Sequence, residues 1–372
     1  MNITCNREQF AAAFAAVAAV APVRSPKPIL QNVKLDVDDN GVGTLLATDL
    51  EIGIRRQLEG FEVKAAGSVV LPVARFGSIL RESTDETFSL DTDGQTTVVR
   101  GSRSRFNLPA ENPATFPPVP DFEEAAYFET SPRLLKELIK RTIFATENES
   151  SRYALGGVKM EWADGKLTAV GTDGRRLAKM EGPVQAVGEG ANFGETTIVP
   201  SRSLQLIDRV LVDDDAEVQM AVRQNDILVR TPKTTIFSRL LEGRFPKWRE
   251  VFPDRTGAAR IELPVGPFFS AVRQAQIVTS DQSRGVDFTF GGGSLVLSGN
   301  TPEVGESRIE MPIGYDGDEI VITLDPRYLV DLLKVLDAEK TFTLDLQDGD
   351  SAAVATTDDG YGYVIMPLAR DR

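Results

Sequence analysis

The sequence predicts an α+β protein built of three similar domains, and three observations support this prediction. The chain has 372 residues, which is enough for two or three domains of ordinary size. One order of elements occurs three times along it: a helix, two β-rich strands, a strand that runs into a second helix, and a hairpin. Corresponding positions of the three segments are 124 to 131 residues apart.

Three sets of corresponding residues define this period. They are Thr48, Thr172 and Asn300, then Pro72, Pro200 and Asp325, and then Phe106, Phe237 and Tyr363. A third of the chain is 124 residues, so each repeat is a whole small domain and not the 20–50-residue unit of a solenoid. We therefore expect domains at 1–125, 126–255 and 256–372. The segments 111–124 and 244–257, rich in proline and charged residues, are expected to be the linkers.

Each repeat is expected to contain two helices on one face of an antiparallel sheet. The first helices are predicted over 7–21, 132–146 and 264–279, and the second ones follow the Pro72, Pro200 and Asp325 positions. Apolar and polar residues alternate in the strands, which is typical of a sheet with one face on helices and the other in solvent. The sequence GGGS (291–294) matches no phosphate-binding loop and predicts a hairpin turn.

The composition excludes several kinds of catalytic and metal site. The chain has no histidine and one cysteine, Cys5, so a Ser-His-Asp triad, an internal disulfide and a cysteine-based zinc site are impossible. Cys5 is expected to be a small buried apolar residue. The aspartate clusters at 213–215, 348–350 and 358–359 lack the spacing of a calcium loop and are typical of solvated turns. We therefore predict a binding or scaffold protein without a metal or cofactor.

The sequence predicts no contact with a membrane. No segment approaches the ~20 apolar residues of a membrane helix, and MNITCNREQF does not have the pattern of a signal peptide. A cytoplasmic location is the expectation.

Basic residues recur at corresponding positions of an acidic chain with a net charge of −14. The second helices carry Arg81, Arg209 and Lys334 at one position and Arg75, Arg202 and Arg327 near their starts, and the first helix of the middle repeat adds Arg133, Lys136 and Lys140. A single surface cation is usually only solvated, but recurrence favours a surface for a polyanion. No aromatic platform accompanies these helices, which favours contact with phosphates over the reading of bases.

Eight segments together resemble the bacterial DNA polymerase III β subunit family, the sliding clamps. They are ATDLE (47–51), SRSRFNL (102–108), SRYALGG (151–157), VGTDGRRLA (170–178), IVP (198–200), EGRFPKW (242–248), RGV (284–286) and YVIMPL (363–368). The resemblance implies three clamp domains, two subunits closed head to tail into a ring around duplex DNA, and no catalytic activity. It implies as partners double-stranded DNA bound without sequence preference, the replicative polymerase α subunit, the clamp loader and other proteins that carry a clamp-binding peptide.

The resemblance also implies three sets of functional residues. The expected DNA contacts are Arg24, Arg81, Lys136, Lys140, Arg152, Tyr153, Arg202, Arg209 and Lys334. The expected peptide pocket, between the second and third domains, consists of Leu155, Thr172, Gly174, Arg175, Arg176, Leu177, Pro246, Val251, Val364, Ile365, Met366, Pro367 and Leu368. The expected dimer interface joins Arg75, Arg103, Arg105, Phe106 and Leu108 of the first domain to Ile277 and Val278 of the partner's third domain.

Some positions around the pocket depart from the usual pattern of the family. Arg175 stands where many members have histidine, Glu250 where a basic residue is common, and Ser283 where an aromatic residue is frequent, and residues 369–372 extend past the usual end. These departures are expected to change the choice of peptide. Because Pro367 has no N–H, we expect the terminal strand to lie at the edge of the third domain and the tail after it to be free to line a groove.

Two other functions stay open at this point. One is a metal-dependent hydrolase or transferase that uses the aspartate turns, for which substitution of Asp213 or Asp350 would abolish a metal-dependent turnover. The other is a structural repeat protein that binds no nucleic acid, for which retention on DNA would show no dependence on salt.

Overall fold

The computed structural model describes residues 1–147, 153–194, 197–212, 217–253, 255–302 and 304–369. These residues form six α-helices and 26 β-strands. All pairings between the described strands are antiparallel. No helix in these ranges has the length and apolar character needed to span a lipid bilayer.

All six predicted helices are present, and the first one of each repeat is shorter than predicted. The helices are α1 (Arg7–Ala18), α2 (Val73–Glu82), α3 (Pro132–Lys140), α4 (Ser201–Val210), α5 (Val265–Ala275) and α6 (Pro326–Val335). After α3 and α5 the chain tightens into the 3-10 turns Ile143–Ala145 and Gln276–Val278. Beyond α3, the hydroxyl of Thr142 donates to the Leu138 carbonyl at 2.6 Å, a bond that competes with regular helical pairing.

The strands occupy most of the remaining chain. The first thirteen are β1 (Asn2–Asn6), β2 (Asn32–Val37), β3 (Val42–Thr48), β4 (Ile52–Glu59), β5 (Glu62–Ala65), β6 (Gly67–Pro72), β7 (Thr87–Thr92), β8 (Thr96–Arg100), β9 (Arg105–Pro109), β10 (Tyr127–Thr130), β11 (Gly157–Ala163), β12 (Lys166–Thr172) and β13 (Arg176–Pro183). The others are β14 (Gln185–Val187), β15 (Ile198–Pro200), β16 (Val218–Val222), β17 (Asp226–Arg230), β18 (Thr234–Arg239), β19 (Ala259–Pro264), β20 (Val286–Gly291), β21 (Ser294–Thr301), β22 (Gly305–Pro312), β23 (Ile320–Leu324), β24 (Thr341–Leu346), β25 (Ala353–Thr356) and β26 (Gly362–Ile365).

The first of two compact units comprises Met1–Leu135, Val184–Gly194 and Arg202–Leu240. It contains a five-stranded sheet, β5-β1-β7-β8-β9, and a nine-stranded sheet, β14-β10-β16-β17-β18-β4-β3-β2-β6. Phe10 of α1 is fully buried, and its ring meets those of Phe76 and Phe88 edge to face. Cys5 is buried as expected, and burial raises the pKa of its thiol to about 12.

The second unit comprises Lys136–Pro183, Glu195–Ser201 and Leu241–Arg372. It contains an eight-stranded sheet, β15-β11-β12-β13-β26-β25-β24-β19, and a four-stranded sheet, β22-β21-β20-β23. The predicted hairpin turn at 291–294 is confirmed, because β20 pairs with β21 and both Gly292 and Gly293 have positive φ.

Each large sheet takes strands from two consecutive repeats. In the first unit β4 pairs with β18, and in the second unit β13 pairs with β26. The predicted linkers are packed against these sheets, since Phe116 and Val119 are buried with Leu46 and Val70 in the first unit. In the second unit Phe245 and Trp248 are buried together with Leu177 of β13 and Val364 of β26.

The terminal strand lies at the edge of the third repeat as predicted, but the prediction of a free tail after it is wrong. The strands β19, β24, β25 and β26 of that repeat follow one another in the eight-stranded sheet, and the sheet continues from β26 into β13 of the second repeat. β26 lies between β13 and β25 and bonds to both. The backbone bonds also continue beyond Pro367, because the Leu368 N–H donates to the Thr323 carbonyl at 2.9 Å. Proline removes one donor only, and its neighbours keep theirs, so the described part of the tail is fixed and not free.

Candidate partner and DNA-binding sites

A tight turn between β12 and β13 forms one side of the predicted peptide pocket. The Thr172 hydroxyl donates to the Arg176 carbonyl at 2.6 Å and accepts from the Gly174 N–H at 3.1 Å. One carboxylate oxygen of Asp173 accepts the N–H groups of Arg175 and Arg176. Gly174 has φ = 88°, a left-handed conformation that favours glycine. These bonds explain why the sequence TDGR sets the shape of this turn.

Arg176 is held by its own unit. Its guanidinium donates to Asp173 at 3.0 Å, to Asp331 at 2.7 Å and to the Phe144 carbonyl at 2.8 Å. It also lies 4.6 Å from the ring centre of Tyr328. Burial alone would lower the pKa of this guanidinium, but Tyr363 and the two carboxylates outweigh it and raise the pKa. Arg176 therefore fixes the wall of the site while remaining charged.

Arg175 lies in a different environment from Arg176. Its side chain is exposed, and its backbone carbonyl accepts the Met366 N–H at 3.0 Å. The pKa of its guanidinium is raised, first of all by hydrogen bonding with Tyr328. This arrangement leaves a cation at the point where β13 begins beside the C-terminal strand.

A buried apolar cluster lies next to this turn, and we refer to it as the floor of the predicted pocket. In β13 and β26, Arg176 stands opposite Ile365 and Leu177 opposite Val364. Leu177 and Val364 are buried together with the residues Val170, Ile198, Phe245, Trp248 and Val354. Leu155, buried at 6% exposure, ends the 3-10 turn Tyr153–Leu155, and its neighbour Ala154 packs on the same cluster.

Two apolar side chains of the predicted set are exposed above this floor. Met366 is 46% exposed and Val251 40% exposed, and Pro246 is exposed as well. Exposed apolar groups next to a buried apolar cluster are typical of a surface that binds a partner. Pro367 and Leu368 are half-buried, and Leu368 lines a separate polar cavity of about 800 Å³ with Arg284 and Asp287. Glu250 is exposed and pairs with Lys247 at 2.8 Å.

The predicted DNA-contacting cations are mostly exposed. Arg24, Arg81, Lys140, Arg209 and Lys334 are exposed, and Lys136 is half-buried. Arg202 is exposed, but it forms an ion pair with Asp49 at 2.5 Å, so its charge is partly neutralised in the free chain. Arg152 and the side chain of Tyr153 lie outside the described part of the chain.

The last turns of helices α2 to α6 each contain a basic residue, a pattern that the sequence predicted only in part. Arg81, Lys140, Arg209, Arg273 and Lys334 each stand in the last turn of a helix, α2 to α6 respectively. A cation there also stabilises the carbonyl end of the helix dipole. Arg273 was missed, and alignment of the first helices on their last turns would have found it.

The predicted interface residues of the first unit surround an exposed sheet edge. β9 is the last strand of the five-stranded sheet, and its Phe106 is 40% exposed. Arg75, Arg103 and Arg105 are exposed, whereas Leu108 is buried. Phe106 and Arg103 line a cavity of about 420 Å³ together with Ile79 of α2.

The predicted interface residues of the second unit also lie beside an edge strand. β22 is the last strand of the four-stranded sheet, and the 3-10 turn with Ile277 and Val278 lies against it. Ile277 is 76% exposed and Val278 is half-buried. The exposed carboxylates Glu306 and Glu310 lie on β22. They were not predicted as interface residues, because their relevance to an interface follows only from their position on an edge strand.

The aspartate turns are structural where they are described. Asp348 accepts the N–H groups of Asp350 and Ser351, and Asp359 pairs with Arg141 at 2.6 Å. Residues 213–215 lie outside the described ranges. Among the residues that the structure describes, no group of three or more acidic or cysteine side chains is arranged to hold a metal.

The chain is similar to DNA polymerase III β subunits along almost its whole length. Models of the N-terminal, central and C-terminal domains of that subunit match residues 1–120, 129–247 and 249–369. The beta sliding clamp of Chlamydia trachomatis is 29% identical over 370 residues, which are 99% of this chain and 87% of that protein.

Two crystal structures have the same fold. The DNA polymerase III subunit beta of Pseudomonas aeruginosa superposes with a TM-score of 0.90 at 27% identity, and both chains are covered completely. The DNA polymerase sliding clamp of Bacillus subtilis, with 23% identity, a TM-score of 0.93 and coverage of 100% of this chain and 99% of that one, supports the fold alone. The predicted three-domain fold is thereby confirmed, and the chain belongs to the DNA polymerase III β subunit family, the bacterial sliding clamps.

Proposed function

We propose that this chain is the processivity clamp of a replicative DNA polymerase: two copies close head to tail around duplex DNA and hold partner proteins by short peptides. The observation that carries this proposal is the match of three consecutive β-subunit domain models to one chain. Such a subunit needs no chemistry of its own, since it works by topological linkage. We place the domains at 1–125, 126–255 and 256–372 and the protein in the cytoplasm.

Ring closure is supported by two complementary sheet edges. β9 offers an exposed phenylalanine among arginines. β22 offers the carboxylates of Glu306 and Glu310 beside the exposed Ile277, and Arg308 of the same strand lies 3.9 Å from Glu310. Opposite charges around apolar anchors favour pairing of unlike patches and disfavour pairing of like ones. An unpaired edge strand can also extend its ladder into a second chain. In a two-fold dimer each such joint occurs twice, which closes a ring.

DNA contact is supported by the cations in the last helical turns. They are exposed on an otherwise acidic chain, so electrostatic attraction to phosphates is confined to the helix ends that carry them. Contacts of this kind are independent of base sequence and sensitive to salt. A ring that is held by topology needs no tighter contact, and loose contact lets it slide.

The partner site is supported by the apolar floor around Leu177 and Val364 and by the exposed Met366 above it. A flexible thioether adapts to different apolar side chains, which suits a site that receives several partners. The polymerase α subunit and the clamp loader are the proposed main ligands, each through a short peptide. Arg175 and Glu250 at the rim are proposed to adjust affinity and not to create it.

The topological proposal is tested with the clamp loaded by its clamp loader on nicked circular DNA. Gel filtration should show the protein eluting with the circle and leaving it once a restriction enzyme linearises the DNA. Retention that is unaffected by linearisation would indicate an ordinary DNA-binding protein. Failure to be retained on either form would favour a repeat protein without a nucleic-acid partner.

The pocket proposal is tested with Met366→Ala and with deletion of residues 366–372. Fluorescence polarisation of a labelled peptide from the C-terminal region of the polymerase α subunit should show weaker binding to both variants. Deletion also removes the backbone bonds of Met366 and Leu368, so Met366→Ala isolates the side chain. Equal affinity of all three proteins would place the peptide site elsewhere.

A further inference from the structure

We propose that Glu161 is a positioning residue for the partner-peptide pocket, acting through Arg249 on the segment 243–251. This inference rests on the proposed function of that pocket. Glu161 lies on β11, and neither it nor Arg249 belongs to the predicted pocket.

Glu161 connects a strand of the eight-stranded sheet to the segment that follows the second repeat. One carboxylate oxygen lies 2.7 Å from Nζ of Lys159 and the other lies 2.7 Å from Nη2 of Arg249. The Glu161 side chain is 18% exposed, whereas that of Arg249 is 63% exposed. The carboxylate is therefore anchored on the sheet and reaches outward to a cation that would otherwise be loosely held.

Two aromatic rings extend this ion pair into the protein. The Arg249 guanidinium lies 4.2 Å from the centre of the Trp248 ring, and Nζ of Lys159 lies 5.9 Å from the centre of the Phe245 ring. Each ring thus carries on its face a cation that Glu161 binds. One carboxylate therefore contacts the cations of both rings.

The same two rings form part of the pocket floor. Phe245 and Trp248 are buried in the cluster that contains Leu177 and Val364. The Trp248 carbonyl accepts the N–H of Val251 at 3.1 Å, and the Trp248 N–H donates to the carbonyl of Pro246 at 2.8 Å. A shift of Trp248 would therefore move both segment residues that were predicted for the pocket, Pro246 and Val251.

The ionised form of Glu161 is the one that the surroundings favour. Burial alone would raise the pKa of this carboxyl, but hydrogen bonds from Lys159 and Arg249 outweigh burial and lower it. The carboxylate is accordingly charged at neutral pH, and removing its charge would release Arg249 while leaving the volume of the side chain unchanged.

Glu181 provides a matched control in the same sheet. It lies on β13 and accepts from Lys179, two residues earlier on its strand, at 2.8 Å, and from Lys166 at 3.2 Å. The pKa of its carboxyl is also lowered, chiefly by the hydrogen bond from Lys179. Glu181 thus repeats the chemistry of Glu161 with lysines of the sheet as partners instead of Arg249.

The test uses the full chain with Trp162→Phe, which leaves Trp248 as its single tryptophan. Glu161→Gln should raise the Kd of a fluorescein-labelled peptide from the polymerase α subunit about five- to tenfold. It should also increase acrylamide quenching of Trp248. Glu181→Gln should change neither value by more than about twofold.

Variants of Arg249 keep the test decisive even if Glu161→Gln folds poorly. Arg249→Gln should weaken the peptide as Glu161→Gln does, Arg249→Lys should retain most of the affinity, and the double Gln variant should bind no worse than either single one. Unchanged affinity of Glu161→Gln and Arg249→Gln, or additive losses in the double variant, would overturn the inference while the pocket stands. A parent chain that binds no peptide would overturn both proposals.

Discussion

The guanidinium group of Arg176 joins three parts of the second unit. It contacts Asp173 in its own turn, the Phe144 carbonyl before β11, and Asp331 and Tyr328 of α6. The Arg176 side chain is 10% exposed and that of Asp173 is 14% exposed, so neither charge would gain full hydration if its partner were removed. Breaking a buried ion pair from one side costs more than the pair itself contributes.

Arg176→Gln should lower the free energy of unfolding of the second unit by about 3 kcal/mol. Arg175→Gln, at the exposed neighbouring position, should change it by about 0.5 kcal/mol or less. Urea denaturation of both variants followed by circular dichroism measures the difference. Similar losses in the two variants would show that the network around Arg176 does not stabilise the unit.

Leu50 occupies the place in the first repeat that Gly174 occupies in the second. Thr48 and Asp49 make the same turn bonds as Thr172 and Asp173, and φ is 81° at Leu50 and 88° at Gly174. A branched residue in this left-handed region is strained by about 1–2 kcal/mol. The turn was recognisable from its threonine and aspartate, but the strain at Leu50 appears only in the backbone.

Leu50→Gly should therefore stabilise the first unit by up to about 1 kcal/mol, because relief of strain exceeds the added chain entropy. Gly174→Leu should destabilise the second unit by about 1–2 kcal/mol. Thermal unfolding of each variant tests whether the two substitutions change the stability in opposite directions. A loss of stability in Leu50→Gly would mean that the leucine side chain contributes more than its backbone costs.

At the scale of elements, periodicity predicted the helices well and their ends poorly. The repeat placed α1 to α6 correctly, yet the predicted helices at 132–146 and 264–279 extend through the 3-10 turns that follow α3 and α5. Local bonds such as that of Thr142 to Leu138 decide where the helix ends. The pairing of β26 with β13 was not predicted, because β13 lies about 190 residues earlier and no local pattern encodes such a pairing.

The residues of the candidate site also fall into two groups, those that the sequence predicted and those that only the structure identifies. Leu177, Val364, Thr172 and Gly174 were singled out from short motifs, and the structure brings them into one turn and one apolar floor. Glu161, Arg273 and Glu306 carry no motif, and only the fold gives each of them a partner or a position.

The basic helix ends predict a specific effect on DNA retention. Changing Arg81, Arg209 and Lys334 together to Ala should weaken retention and reduce the salt slope by about 0.9 for each phosphate that the variant no longer neutralises. The folding of the chain should change little, because all three are exposed. The measurement is the equilibrium binding of the protein to linear duplex DNA, on which topology cannot hold a ring, at increasing salt.

A matched control removes the same charge from other elements. Lys64, Arg260 and Lys340 are exposed and lie on or beside strands. Their combined change to Ala should leave the salt slope unaltered. An equal decrease of slope in both triple variants would show that net charge, and not the helix ends, governs retention.

At the scale of the whole molecule, the proposed assembly depends on the two edge strands. Phe106→Ala combined with Ile277→Ala should convert a dimer of about 81 kDa into monomers of 40.5 kDa, because both exposed apolar anchors are removed. Analytical ultracentrifugation measures the masses. Val23→Ala combined with Val212→Ala removes exposed apolar groups elsewhere and should leave the dimer unchanged. A persistent dimer in the first variant would move the interface away from β9 and β22.

The pairing of β4 with β18 and of β13 with β26 has a consequence for how amide protons exchange with solvent. Those amides lie inside sheets that join consecutive repeats, so their exchange requires unfolding of a unit and does not depend on protein concentration. β9 and β22 are the last strands of their sheets, so in the proposed assembly their outer amides should exchange freely in a single chain and become protected only while a second chain is bound. Dilution should therefore accelerate deuterium uptake at 105–109 and 305–312 and leave 52–59 and 362–365 unaffected. The rate of deuterium uptake at those two edges would then report how fast the proposed ring opens. Uptake at 52–59 and 362–365 in the same sample would report whether consecutive repeats stay joined within each chain.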